Sequence, residues 1–109
     1  MKTIREIVFK ANGEDANVIK VQLYYNLGGM NLFTYKEEQR GYYMSVAPYT
    51  RIGRCESFTA FTGWKRCLVP VARQSKAKQA VAEKMFDEQY VMWARQCADK
   101  YGLVLEGKV

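Results

Sequence analysis

Between Arg51 and Lys78 the chain places seven cations, Arg51, Arg54, Lys65, Arg66, Arg73, Lys76 and Lys78, against one acid, Glu56. That excess equals the formal net charge of the whole protein, +6, so the rest of the chain is neutral in sum. Fixed positive charge at this density attracts phosphates, and each contacted phosphate releases counterions, which yields affinity without sequence specificity. Tyr49, Phe58, Phe61 and Trp64 are interspersed with the cations. Rings exposed beside such charges can stack on unpaired bases, each contributing about 1–3 kcal/mol. The competing reading has the cations solvating turns and helix surfaces while the rings fill the core.

Other chemistry is excluded by residue type. Without histidine there is no Cys-His or Ser-His pair and no His-containing metal site. Cys55, Cys67 and Cys97 are odd in number and lack CxxC spacing, so they read as small buried apolar residues rather than disulfides or zinc ligands. Glu37-Glu38 and Asp87-Glu88 are adjacent acids, and neighbours in a strand or helix do not face one another; they read as solvating charges. Gly28-Gly29 and Gly63 belong to no GxGxxG or GxxxxGK[ST] loop. A nuclease-like use of the tyrosines and arginines would need an acid cluster for a metal, and none is present. The expectation is a non-enzyme with no cofactor and no metal.

The elements that must position the cations follow from periodicity. Thr3–Lys10 fits a strand or a short helix, and we read it as a strand; Asn12-Gly13-Glu14-Asp15 is a turn. Asn17–Asn26 alternates, with Ile19, Val21, Leu23 and Tyr25 on one face and Lys20, Gln22 and Tyr24 on the other. After Leu27-Gly28-Gly29, the spacing predicts strands over Met30–Lys36, Tyr42–Tyr49 and Cys55–Thr62, with Pro48 at an edge or a strand end. Turns are expected at Glu37–Gly41 and Thr50–Arg54. Connections this short imply an antiparallel meander.

Trp64, Cys67, Leu68 and Val71 fall at helical spacing, so a short, Pro70-kinked helical segment is expected over about 64–72. Ser75 is an N-cap candidate and Gly102 a C-cap candidate for a long helix over about 75–101. Its apolar face carries Ala82, Phe86, Tyr90, Trp93, Ala94, Cys97 and Tyr101, and Val81, Met85 and Met92 make a thin second stripe. Leu103–Leu105 is either a last short strand or a packed segment.

The whole is expected to be a single domain (residues 1–109) of α+β class: an antiparallel meander sheet of four to five strands with one long C-terminal helix packed on one face. The expected core is Ile19, Val21, Leu23, Leu32, Met44, Val46, Phe58, Phe86, Tyr90, Trp93 and Cys97. Tyr24/Tyr25 and Tyr42/Tyr43 are adjacent pairs, so one member of each should lie on the face the helix does not cover. Apolar runs fall far short of the roughly 20 residues that span a bilayer, and the start lacks an apolar h-region. No membrane partner is expected, and a cytoplasmic location is.

With GYYMSVAPYTR, FTAFTGWK and the lysine-rich helix that follows, the stretch from Gly41 to about Lys84 resembles small uncharacterised proteins carried on bacterial mobile elements. The resemblance implies a bacterial cytosol and nucleic-acid-associated work; it transfers no functional residue. The function expected is therefore nucleic-acid binding through Arg51, Arg54, Lys65, Arg66, Arg73, Lys76 and Lys78. The rival is a protein-interaction module or homodimer using the uncovered sheet face or the Val81/Met85/Met92 stripe.

Overall fold

The computed structural model describes residues 2–11, 17–32, 34–52, 55–58 and 63–108, and the side chains of 3–11, 18–32, 34–49 and 63–108. The strands are β1 (Lys2–Ala11), β2 (Asn17–Asn26), β3 (Gly29–Asn31), β4 (Lys36–Glu38), β5 (Gly41–Ile52), β6 (Cys55–Phe58), β7 (Trp64–Pro70) and β8 (Leu105–Lys108). Among the described residues one helix, α1 (Lys76–Lys100), packs on one face. The fold is α+β, as its alternation implied. The main sheet is antiparallel, in the order β5-β2-β1-β8, with β7 and β6 sharing the outer side of β5. β3 and β4 form a separate hairpin between β2 and β5.

Parity in the strands decides the faces. Ile7 and Phe9 on β1, Ile19, Val21, Leu23 and Tyr25 on β2, and Tyr42, Met44 and Val46 on β5 meet Ala82, Phe86, Trp93, Ala94, Cys97 and Ala98 of α1. Phe86, Ile19, Leu23, Met44 and Val21 are fully enclosed. Burying side chains of this size stabilises by about 1.5–3 kcal/mol each. Arg5 fastens the helix to β1, its guanidinium over the Phe86 ring at 5.0 Å and paired with Asp87 at 2.5 Å.

Both ends of α1 are stopped chemically. Ser75 accepts from the Lys78 N–H at 3.4 Å, and its own N–H donates to the Tyr42 hydroxyl at 3.0 Å. At the other end Gly102, at φ 65°, donates to the Asp99 carbonyl (3.3 Å) and Leu103 donates to that of Ala98 (2.8 Å). This pair of bonds satisfies carbonyls left open at a helix end and needs the left-handed residue that glycine supplies.

The expected helical segment over 64–72 is instead strand β7. Its register slips between Tyr42 and Tyr43, which face Val69 and Cys67, leaving Leu68 as an extra residue. The bulge turns Leu68 and Val69 both to the core, and this break in alternation imitates helical spacing. Pro70 closes the strand opposite Gly41, on the outer side where a missing donor is tolerated. Pro48 lies inside β5 rather than at its end. On the outer side, pairing to β7 stops at Val46 and pairing to β6 resumes at Tyr49, so Pro48 falls in the gap. Gly63 lies beside that gap, where a Cβ would overlap the Val46 carbonyl.

Three further expectations change. Strand β5 continues through Thr50, Arg51 and Ile52, where a turn was expected, because these residues pair with β6. The expected strand over Met30–Lys36 is two three-residue arms around a tight connection, so Leu32 is 77% exposed and is no part of the core. Tyr90 is only half-buried, at the margin between Phe9 and Phe86. The Asn12–Asp15 turn, the 59–62 end of the expected fourth strand and the Phe58 side chain lie outside the described residues. Leu105 does enter a last strand, β8, against β1.

Candidate functional site

The seven cations do not fold into one surface. Arg51 stands in β5 opposite Glu56, ten positions from Gly41, or about 33 Å along the strand. Its side chain lies outside the described residues, as does Arg54 altogether. Lys65 and Arg66 are successive residues of β7 and point to opposite faces. Arg66 turns to the helix side, its guanidinium 5.8 Å from the Trp93 ring centre and donating to Gln89 Oε1 at 2.8 Å. Lys65 turns to the other face. Both are employed within the fold.

Lys65 belongs to a polar clasp that holds the hairpin against the sheet. Its ammonium pairs with Glu38 at 2.5 Å and lies 6.0 Å from the Tyr43 ring centre. Glu38 also accepts from Asn26 Nδ2 (3.1 Å) and Asn31 Nδ2 (3.4 Å). Partial burial alone would raise the Glu38 carboxyl. The hydrogen bonds from Lys65, Asn26 and Asn31 and the Lys65 charge outweigh it and hold the group below its ordinary value. Tyr43 donates to the Gln39 carbonyl at 2.8 Å and stacks on Tyr24 with ring centres 5.9 Å apart. Burial, with the neighbouring Cys67 and Glu38, pushes Tyr43 up to about 12 and raises Tyr24 further.

Parity thus sends Tyr24 and Tyr43 to the face away from the helix, yet neither ring is available there. They are only 4% and 6% exposed. Tyr49 carries the Lys20 ammonium over its ring at 4.6 Å, and Trp64, on the helix side, carries that of Lys100 at 5.5 Å. Much of the aromatic and basic content of the chain is therefore spent on itself.

Arg73, Lys76 and Lys78 are exposed and lie close along the chain, Arg73 in the β7–α1 connection and the two lysines on different sides of the first turn of the helix. That turn, Lys76-Ala77-Lys78-Gln79, contains cations where the helix dipole already presents positive charge, an unfavourable placement of about 0.3–1 kcal/mol each. A fourth exposed cation, which the sequence reading missed, joins them. Arg40 accepts from the Val71 N–H through its carbonyl (3.1 Å) and donates from Nη1 to the Ala72 carbonyl (3.5 Å). Tyr25 donates to the Val71 carbonyl and Tyr42 to that of Ser75, which ties this connection to the end of the sheet.

The β3–β4 hairpin leaves the sheet at that same end, and its backbone approaches no other described strand or helix. Asn26 Oδ1 accepts from the Gly28 N–H, and Gly28 and Gly29 take φ of 79° and 100° to start the hairpin. Gly28 also leaves room for Arg40, whose Cγ would lie 3.1 Å from an added Cβ. Leu27, Met30, Leu32 and Tyr35 are 60–81% exposed on it. The signal in the sequence was the uncharged, glycine-led run from Leu27 to Tyr35, too short to give two sheet strands. The helix stripe is broken instead: Val81 and Met92 are half exposed, while Met85 packs on the core.

Cys97 is buried and its thiol pushed up to about 11 by burial, with Lys100 opposing. Burial likewise raises the half-buried Cys67. Among the described residues no group of His, Cys, Asp or Glu is arranged to hold a metal ion, and no helix is long and apolar enough to cross a membrane. Comparison with known proteins gives no match, whether to a protein-family model, a curated protein or a solved structure.

Proposed function

We propose that this chain is a non-enzymatic, cytoplasmic module that binds nucleic acid by its phosphates, at the end of the sheet where β7 passes into α1. The observation that carries the reading is the grouping of exposed Arg40, Arg73, Lys76 and Lys78 around the positive end of the helix. Their mutual repulsion and their opposition to the helix dipole are relieved by a bound polyanion. The resemblance of the Gly41–Lys84 stretch to proteins of bacterial mobile elements points the same way. Lys65 and Arg66 take no direct part in this reading, because they serve the clasp and the helix.

The test is fluorescence anisotropy with labelled oligonucleotides at about 50 mM salt. Arg73→Gln/Lys76→Gln/Lys78→Gln should lose most of the affinity. The control Lys10→Gln/Lys84→Gln/Arg95→Gln removes the same charge from exposed sites elsewhere and should lose much less. Equal losses would mean that only net charge matters and would refute a localised surface.

A further inference from the structure

We infer that the β3–β4 hairpin is a stacking finger for unpaired bases. A single strand held by its phosphates on Arg40, Arg73, Lys76 and Lys78 lays a base on the Tyr35 ring, with Leu32 and Met30 as apolar flanks. This rests on the phosphate-binding reading above and adds a preference for single-stranded over double-stranded nucleic acid.

Three observations meet here. Tyr35 is 81% exposed and Leu32 77%, on an element whose backbone touches no other described element. The ring is held out by a defined turn: Tyr35, at φ 55°, donates its N–H to the Asn31 carbonyl (2.8 Å), and Asn31 Oδ1 accepts from the Thr34 N–H (3.2 Å). The Glu38 clasp then fixes the base of the hairpin beside the exposed cations. Five residues separate Tyr35 from Gly41, so the six Cα steps place the Tyr35 Cα at most about 20 Å from the strand end that adjoins Arg40. That reach suits the roughly 4–16 nucleotides over which single-strand modules track a backbone.

Charge selects the occupant. No charged residue lies between Leu27 and Tyr35; the exposed Lys36 and Glu37 that follow offset each other, while Arg40, Arg73, Lys76 and Lys78 are exposed at the end of the sheet from which the hairpin leaves. An apolar, aromatic tip inside a cationic collar is complementary to a ligand with flat apolar faces inside and anions outside, and an unpaired strand has that form. A second copy of this chain would bring two such collars into one interface, where like charges oppose each other. Duplex bases are already stacked, and separating them costs a few kcal/mol per step, whereas unpaired bases carry no such cost.

The experiment measures binding of the full chain to labelled single-stranded and double-stranded oligonucleotides of equal length. Tyr35→Ala should weaken single-strand binding by about 5- to 150-fold. It should leave duplex binding and the salt dependence unchanged, because the ring carries no charge. Tyr35→Phe keeps the stacking face and should stay within about twofold of wild type. Thermal unfolding of each variant should match wild type, since the side chain is exposed.

If Tyr35→Ala binds single strands like wild type while Arg73→Gln/Lys76→Gln/Lys78→Gln does not, the finger is refuted and the phosphate surface stands. Absence of wild-type binding to either oligonucleotide at about 50 mM salt removes both. Binding to phosphatidylglycerol vesicles, or a dimer in sedimentation, that is lost in Leu32→Glu would reassign the finger to a lipid surface or to self-association and overturn the inference.

Discussion

Glu38→Gln removes the anion from the clasp while keeping the shape of the side chain. The amide oxygen can still accept from Asn26 or Asn31, so those bonds weaken without vanishing. What is lost is the pairing with Lys65 at 2.5 Å, between side chains 34% and 20% exposed. An ion pair so open to solvent contributes about 0.2–1 kcal/mol, and the weakened charge-assisted bonds add a few tenths more. A loss of about 1 kcal/mol at neutral pH is expected, or a fall of roughly 4–8 °C in Tm for a domain of this size. The clasp holds the Glu38 carboxyl below its ordinary value, so its contribution is fully present above the unfolded value of 4.5 and fades as pH falls through the lower folded value. Urea unfolding of both proteins at about pH 7 and about pH 3 reads this directly. The two should differ at the higher pH, and the difference should shrink in acid as the native carboxyl takes up its proton. Equal stability at neutral pH, or a difference that persists undiminished in acid, would refute the clasp.

Phe86→Ala should cost about 3–5 kcal/mol in urea unfolding, because the ring is fully enclosed between helix and sheet. Gly41→Ala should destabilise the β5–β7 pair, since the added Cβ would stand 2.5 Å from the Val69 carbonyl oxygen; a fully native thermal transition would contradict the register. In a Cys55→Ser/Cys67→Ser background, Cys97 should resist a thiol reagent at about pH 8 until the protein unfolds, given burial and a thiol pushed up to about 11.

The sheet and helix were legible because burial there is one-sided and leaves its period in the residues. Ile19, Val21 and Leu23 alternate on β2, and Phe86, Trp93, Ala94 and Cys97 recur on α1, since each set meets the other across one interface. The capping of α1 was equally local: Ser75 and Gly102 act on backbone groups within a few residues. Period fails where a strand bulges, and Leu68 beside Val69 turned β7 into an apparent helix. It fails again where apolar residues have no core to face, as with Leu32 and Tyr35 on the hairpin.

The candidate site was legible only in part. A run of cations along the sequence states how much charge there is but not where strands and turns carry it. Neighbours in β7 part to opposite faces, β5 takes Arg51 to its far end, and Arg40 arrives from another connection through its bond to Ala72. Parity placed one tyrosine of each adjacent pair, Tyr24 and Tyr43, on the face away from the helix. It says nothing of the hairpin base and β7 side chains that bury them.

The slope of log binding constant against log salt, for wild type and for Arg73→Gln/Lys76→Gln/Lys78→Gln, reads the phosphate surface at the start of the helix. Each phosphate contact contributes about 0.7 to the slope on a single strand and about 0.9 on duplex DNA. Steep wild-type dependence is expected between about 50 and 200 mM salt, with a slope shallower by roughly 2 to 3 in the triple variant. Equal slopes, or a wild type that does not bind at the lower salt, would contradict that surface.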